Sequence, residues 1–150
     1  MMTFIRRYAI YFAWIVSLVA TSGSLYMSEI LLWEPCRLCW YQRIFMYPLV
    51  LILGIAAYRN DRSVLRYGLP MAIIGGSISI YHYMVQKVPG MAEASPCRVG
   101  IPCDSDYLDL YGWITIPFLA LIAFILITVF LWTSRKAVDE VVEEEVSFGA

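Results

Sequence analysis

The sequence predicts an all-α integral membrane protein, a four-helix transmembrane bundle with both termini cytoplasmic. Three observations lead there: only 15% of its 150 residues are charged, the mean hydropathy is +0.68, and the charges divide the chain into four long apolar stretches. A soluble domain is about 25% charged and needs a polar skin. With 11 basic and 12 acidic residues and a net charge of -1, this chain cannot supply one. The same balance disfavours a disordered chain, a soluble enzyme and a nucleic-acid binder.

The first stretch holds 21 uncharged residues, Tyr8 through Ser28, after Arg6 and Arg7. It is too long for a signal-peptide core of about 7–15 residues. Ser17, Thr21, Ser22, Gly23 and Ser24 offer small residues for cleavage, but a retained helix is the reading adopted. The second stretch runs over 36–58, with Arg37 and Arg43 near its start. The third covers 67–86, with His82 as its only group ionising near neutral pH, and the fourth covers 110–134. About 20 residues at 1.5 Å rise span a hydrocarbon core of about 30 Å. Helices satisfy their own backbone in lipid, and barrel strands would be half this length. Pro48, Pro70 and Pro117 read as shape and packing residues, and Gly75 and Gly76 as a close-contact face. No repeat or linker divides the chain, so 1–150 reads as one domain ending in an acidic cytoplasmic tail, 137–150.

Basic residues set the orientation. Arg6, Arg7, Arg59, Arg62, Arg66, Arg135 and Lys136 fall on one face, against Arg37, Arg43, Lys87 and Arg98 on the other. The first face is therefore cytoplasmic, and two outer segments result, near 29–35 and 87–109.

All four cysteines then lie on the outer side: Cys36 and Cys39 at the mouth of the second helix, Cys97 and Cys103 in the longer outer segment. An even count confined to the export side points to disulfide chemistry. A structural role is the alternative. On the loop-entropy estimate, closing Cys36–Cys39 gives about 2 kcal/mol, whereas Cys36–Cys97 would give about 4 kcal/mol. Staples favour the longer closure; close pairs suit reversible exchange. The helix terminus and Arg37 favour a thiolate at the first pair. Zinc or iron–sulfur binding is not expected from spacings of three and six beside a membrane helix, so no metal is assigned. Nucleotide-loop and hydrolase signatures are absent from the sequence.

Cys36, Cys39, Arg43 and Tyr47 share one helical face. Arg43 lies about 10 Å along the axis from Cys36. A cation there either snorkels to headgroups or meets an acceptor, and is a functional candidate. His82 lies about 7–8 Å from the outer end of its helix, and is read either as a packed neutral side chain or as a ligand contact.

At Cys36-Arg37-Leu38-Cys39-Trp40-Tyr41-Gln42-Arg43 the chain resembles the DsbB family of bacterial membrane disulfide oxidases, and within it the BdbC-like Bacillus branch. The resemblance covers all four helices and both cysteine pairs. It implies a bacterial plasma-membrane enzyme that reoxidises an exported thioredoxin-fold thiol-disulfide oxidase resembling BdbD. Electrons then pass to membrane quinone, menaquinone in the Bacillus branch. Carried over by position, Cys36 and Cys39 are the quinone-proximal pair. Cys97 forms the mixed disulfide with the partner, and Cys103 passes the exchange to Cys36. Arg43 contacts the quinone, and His82 aligns with a histidine near the quinone site; Tyr47, one turn further along the face of Arg43, is read as a cofactor contact from its position alone. Two departures stand out: Gln42 replaces a glutamate common in the best-known branch, and only five residues separate Cys97 from Cys103. The short loop leaves the order of intermediates open. A quinone-linked membrane disulfide reductase and a non-catalytic scaffold are the alternatives.

Overall fold

The computed structural model describes every residue except 1, 92, 94, 98–99, 104–110 and 149–150, and gives backbone alone for 2–7 and 136–148. Arg98, the start of the expected fourth span at Leu110 and the last residues of the expected tail lie outside the described residues.

Four helices form: α1 (Met2–Glu29), α2 (Arg37–Arg59), α3 (Leu65–Lys87) and α4 (Ile116–Phe148). Each has a segment long and apolar enough to cross a membrane, the spans being Tyr8–Glu29, Arg37–Arg59, Arg62–Lys87 and Ile116–Arg135. The helices pack in a ring, each against its chain neighbours and α4 against α1. Leu49, Leu53, Phe124, Ile127 and Leu131 fill the centre and are 1% exposed or less. Val19, Leu51, Ile55 and Val129 are more than half exposed. Such an outward apolar coat suits lipid rather than water. This is an all-α, four-helix membrane-spanning bundle.

Local chemistry fixes the ends. Asn60, left-handed at φ 53°, closes α2. The N–H groups of Asn60 and Asp61 return to Ala57 and Ala56, a Schellman closure with Asn in the glycine position. Asp61 Oδ1 then accepts the Ser63 N–H at 2.9 Å, capping a single 3₁₀ turn, Arg62–Val64, that feeds directly into α3. Two polar residues thus reverse the chain between two spans.

The expected boundaries shift in three places. α1 reaches back to Met2, beyond the charges that bounded the apolar run. The fourth span starts at Ile116 rather than 110, because Tyr111 and Gly112 hold positive φ in a turn. Pro117 then sits in the first turn of α4, where its missing N–H costs no helical bond. At the other end the α4 backbone stays helical to Phe148, through the segment read as a separate tail. Its alanine and glutamates are compatible with helix once the chain leaves the membrane. Gly75 has the packing role expected of it: a Cβ there would run into the Phe124 ring.

Candidate functional site

The outer end of the bundle gathers both cysteine pairs. Cys36 is the N-cap of α2, extended at φ -68° and ψ 172°, and its sulfur accepts the Cys39 N–H. That N···S distance is 3.5 Å, and the two sulfurs lie 3.3 Å apart as free thiols in hydrogen-bond contact. A sulfur thus fills the capping role usually taken by a serine or aspartate oxygen. Cys97 and Cys103 form a disulfide with Cα atoms 5.6 Å apart. As a disulfide they have no thiolate to offer a metal. The sulfurs of Cys36, Cys97 and Cys103 all lie within 4.8 Å of one another. A loop of five intervening residues therefore brings the second pair onto the first.

Burial accompanies this proximity. Cys36, Cys97 and Cys103 are 6%, 5% and 3% exposed, packed with Leu38 and Val85. Arg37 Nη1 donates to the Pro96 carbonyl at 3.3 Å, tying the outer segment to the start of α2. Cys36 lies one residue ahead of the span. Its thiol is held well below the ordinary range, first by hydrogen bonding from the Cys39 thiol; burial opposes the shift and His82 reinforces it.

His82 reaches the relay from α3, and it is 1% exposed. Its Nε2 lies 3.6 Å from Cys36 Sγ and 3.3 Å from the Cys103 carbonyl. Its Nδ1 lies 3.4 Å from the Gln42 amide nitrogen.

Below the thiols is a cavity of about 500 Å³ between α1, α2 and α4, lined among others by Val19, Cys39, Arg43, Met46, Tyr47 and Ala123. Arg43 crosses its upper part to α1, donating from Nε to Ser24 Oγ at 3.0 Å and from Nη2 to the Ser24 carbonyl at 3.1 Å. Its guanidinium carbon also lies 5.7 Å from the Trp40 ring centroid. The cation has met acceptors inside the protein. Tyr47 and Gln86 also line the cavity, and the buried Tyr47 hydroxyl and Gln86 Oε1 have no hydrogen-bond partner among the described residues.

Six of the seven candidate residues therefore fall toward the outer end of the bundle, while Tyr47 sits deeper, near the middle of α2 on the cavity wall. Three neighbours were not singled out as contacts in the sequence: Ser24, Gln42 and Gln86. Ser24 looked only like a small residue near a cleavage region. Gln42 and Gln86 had a usable signal, since an amide inside an apolar span needs partners.

The sequence profile of the family described as "Disulfide bond formation protein DsbB" matches residues 6–134. The chain belongs to the DsbB family. Disulfide bond formation protein C of Bacillus subtilis (strain 168) is 61% identical over 122 residues, covering 81% of this chain and 88% of the relative. A probable disulfide formation protein C 1 of Bacillus anthracis is 53% identical over 124 residues, covering 83% and 89%. A probable disulfide formation protein of Coxiella burnetii (strain CbuK_Q154) is 43% identical over 137 residues, covering 91% and 93%. No solved structure matches the chain.

Proposed function

We propose that this DsbB-family chain reoxidises an exported thioredoxin-fold dithiol oxidase and delivers two electrons to membrane quinone, menaquinone in this branch. The observation that carries the reading is the stacking of three sulfurs from two cysteine pairs within 4.8 Å, directly above a cavity that also exposes Cys39 and Arg43. Free Cys36 and Cys39 thiols in contact suit exchange better than a permanent staple.

The residues present fit a quinone. The cavity volume falls in the small-ligand range of about 300–1,000 Å³. Its walls are largely aliphatic, as an isoprenoid quinone requires, and polar groups break that lining, among them the Arg43 guanidinium, the Tyr47 hydroxyl and the Gln86 amide, with Ser24, Glu34, Gln42 and His82 also on its wall. When bound, the quinone supplies an acceptor for two electrons and two protons. Arg43, fixed by Ser24, holds positive charge where reduction builds up negative charge. The Tyr47 hydroxyl can donate a second hydrogen bond, and Cys39 lines the same space, as Cys36 does. This reading gives relay roles to Cys36, Cys39, Cys97 and Cys103, and cofactor contacts to Arg43 and Tyr47, in keeping with the sulfur proximity and the cavity lining. His82 borders the cavity but spends its nitrogens on the relay.

The basic-residue bias supports a cytoplasmic location for both termini and an extracytoplasmic one for the cysteines. The test uses the Cys103→Ala protein in sealed right-side-out vesicles, with a partner variant that keeps one active-site cysteine, supplied as its mixed disulfide with thionitrobenzoate. Cys97 should displace thionitrobenzoate and retain the partner as a mixed disulfide, because neither Cys103 nor a second partner cysteine is left to expel it. Capture through Cys103 in the Cys97→Ala protein instead would reverse the roles within the pair. Capture only in inside-out vesicles would reverse the orientation.

A further inference from the structure

We infer that His82 is a catalytic residue of the exchange between the two cysteine pairs, and that Gln42 positions it by holding its tautomer. The inference rests on the relay reading in which Cys103 exchanges with Cys36.

The tautomer follows from acceptor chemistry. The Cys103 carbonyl oxygen can only accept, so the 3.3 Å contact requires a proton on His82 Nε2. In a neutral imidazole the other nitrogen is then an acceptor. The Gln42 amide nitrogen at 3.4 Å from Nδ1 is a matching donor. Two contacts on opposite sides of the ring agree on one state: Nε2 protonated, Nδ1 bare. The same Nε2–H faces Cys36 Sγ at 3.6 Å. One N–H therefore reaches both the Cys36 sulfur and the backbone of Cys103, the two residues joined in the proposed intermediate.

The chemistry balances as follows. Starting from a Cys36–Cys39 disulfide and reduced Cys97 and Cys103, the Cys103 thiolate attacks Cys36 Sγ. The Cys36–Cys103 bond forms, the Cys36–Cys39 bond breaks, and Cys39 leaves with the electron pair and takes a proton. The Cys97 thiolate next attacks Cys103 Sγ. The Cys97–Cys103 bond forms, the Cys36–Cys103 bond breaks, and Cys36 leaves as a thiolate into the Nε2–H bond. Two electrons have moved between pairs, and one of the two thiol protons is released to water. The disulfide at Cys97–Cys103 and the free thiols at Cys36 and Cys39 are the products of that sequence. Hydrogen bonding to a thiolate lowers the basicity of the leaving group, which speeds its departure.

Among the described residues, the other titratable or charged groups near this ring are Cys36 and Cys39 of α2, with Glu34, Arg43 and Tyr47 on the wall of the shared cavity. The described lining residues of α1 and α4 there carry no titratable side chain.

His82 is the chain's only histidine, so ring ¹⁵N resonances report its protonation without assignment ambiguity. The wild type at neutral pH should show a protonated Nε2 and a bare Nδ1. Gln42→Leu should admit the other tautomer, and Gln42→Glu should protonate both nitrogens. A bare Nε2, two protonated nitrogens in the wild type, or a pattern untouched by Gln42→Leu would overturn the assignment. The kinetic arm needs no quinone. Fully oxidised protein is mixed with one equivalent of dithiothreitol, quenched in acid, alkylated and mapped by mass spectrometry. His82→Ala should slow the second step about tenfold to a hundredfold, the scale of one hydrogen bond to a charged group. The Cys36–Cys103 species should accumulate, and His82→Gln, which keeps an N–H of similar reach, should relieve part of the block. Exchange in the wild type that is equally fast in a folded His82→Ala protein would sink this inference alone. Failure of wild-type exchange between the pairs would sink the relay reading beneath it.

Discussion

Cys36→Ala protein should oxidise one equivalent of reduced partner and then stop. The Cys97–Cys103 disulfide is already formed, so the first exchange needs nothing from α2. The electrons then have no exit, because Cys36 is the sulfur of the first pair shown within 4.8 Å of both Cys97 and Cys103. Steady turnover should fall by about a thousandfold or more, as when one member of a unit that acts together is removed. A small side chain at this N-cap also forfeits the contact to the Cys39 N–H, at a stability cost of about 1 kcal/mol. Thermal unfolding in detergent separates that loss from the chemical one. Partner thiols counted after rapid mixing give the burst, and a second equivalent oxidised at the wild-type rate would exclude Cys36 from the route.

Arg43→Leu should leave that burst intact and impair the steps that follow it. The guanidinium is a cavity-wall cation held from α1 by two hydrogen bonds to Ser24. Removing it takes away a charged donor, which is worth about 1.5–3 kcal/mol, or about tenfold to a hundredfold in kcat/KM for quinone. A rise in KM alone would assign Arg43 to uniform binding, whereas a fall in kcat alone would assign it to the transition state. Arg43→Lys should rescue part of the loss, since an ammonium restores charge but not the planar fork that spans Ser24. The bundle should survive, because the freed Ser24 hydroxyl can turn to a carbonyl of its own helix, as Ser77 does to Ile73. Wild-type quinone kinetics in a folded Arg43→Leu protein would reduce the residue to an interhelical tie.

The four spans were readable because lipid imposes a length and an absence of charge, and a run such as Tyr8–Ser28 carries both in one dimension. Boundaries were less readable where backbone geometry decides them. The positive φ at Tyr111 and Gly112 delays α4, and only Gly112 hints at it. Cys36, Cys39 and Arg43 stood out by spacing along a single helix face, and Cys97 and Cys103 by their close pairing in the longer outer segment. Contacts between helices did not. That Arg43 meets Ser24 depends on how α1 packs beside α2, and that His82 meets Gln42 depends on the register of α3 against α2. Neither register is written in local periodicity, because these helices are apolar on nearly every face. The short Cys97–Cys103 loop left the path between the pairs open in the sequence. In the folded protein the same brevity places both of its sulfurs beside Cys36.

The central claim is that electrons leave partner thiols through two stacked cysteine pairs and reach quinone in the cavity below. Its most direct test is anaerobic mixing of the purified protein with reduced partner and excess menaquinone, following quinone absorbance and partner thiols together. One quinone should be reduced for each partner disulfide formed, over many turnovers. Partner oxidation that stops after the protein's own disulfides are spent, with quinone absorbance unchanged, would contradict the account. So would net flow in the opposite direction, from quinol to partner disulfide.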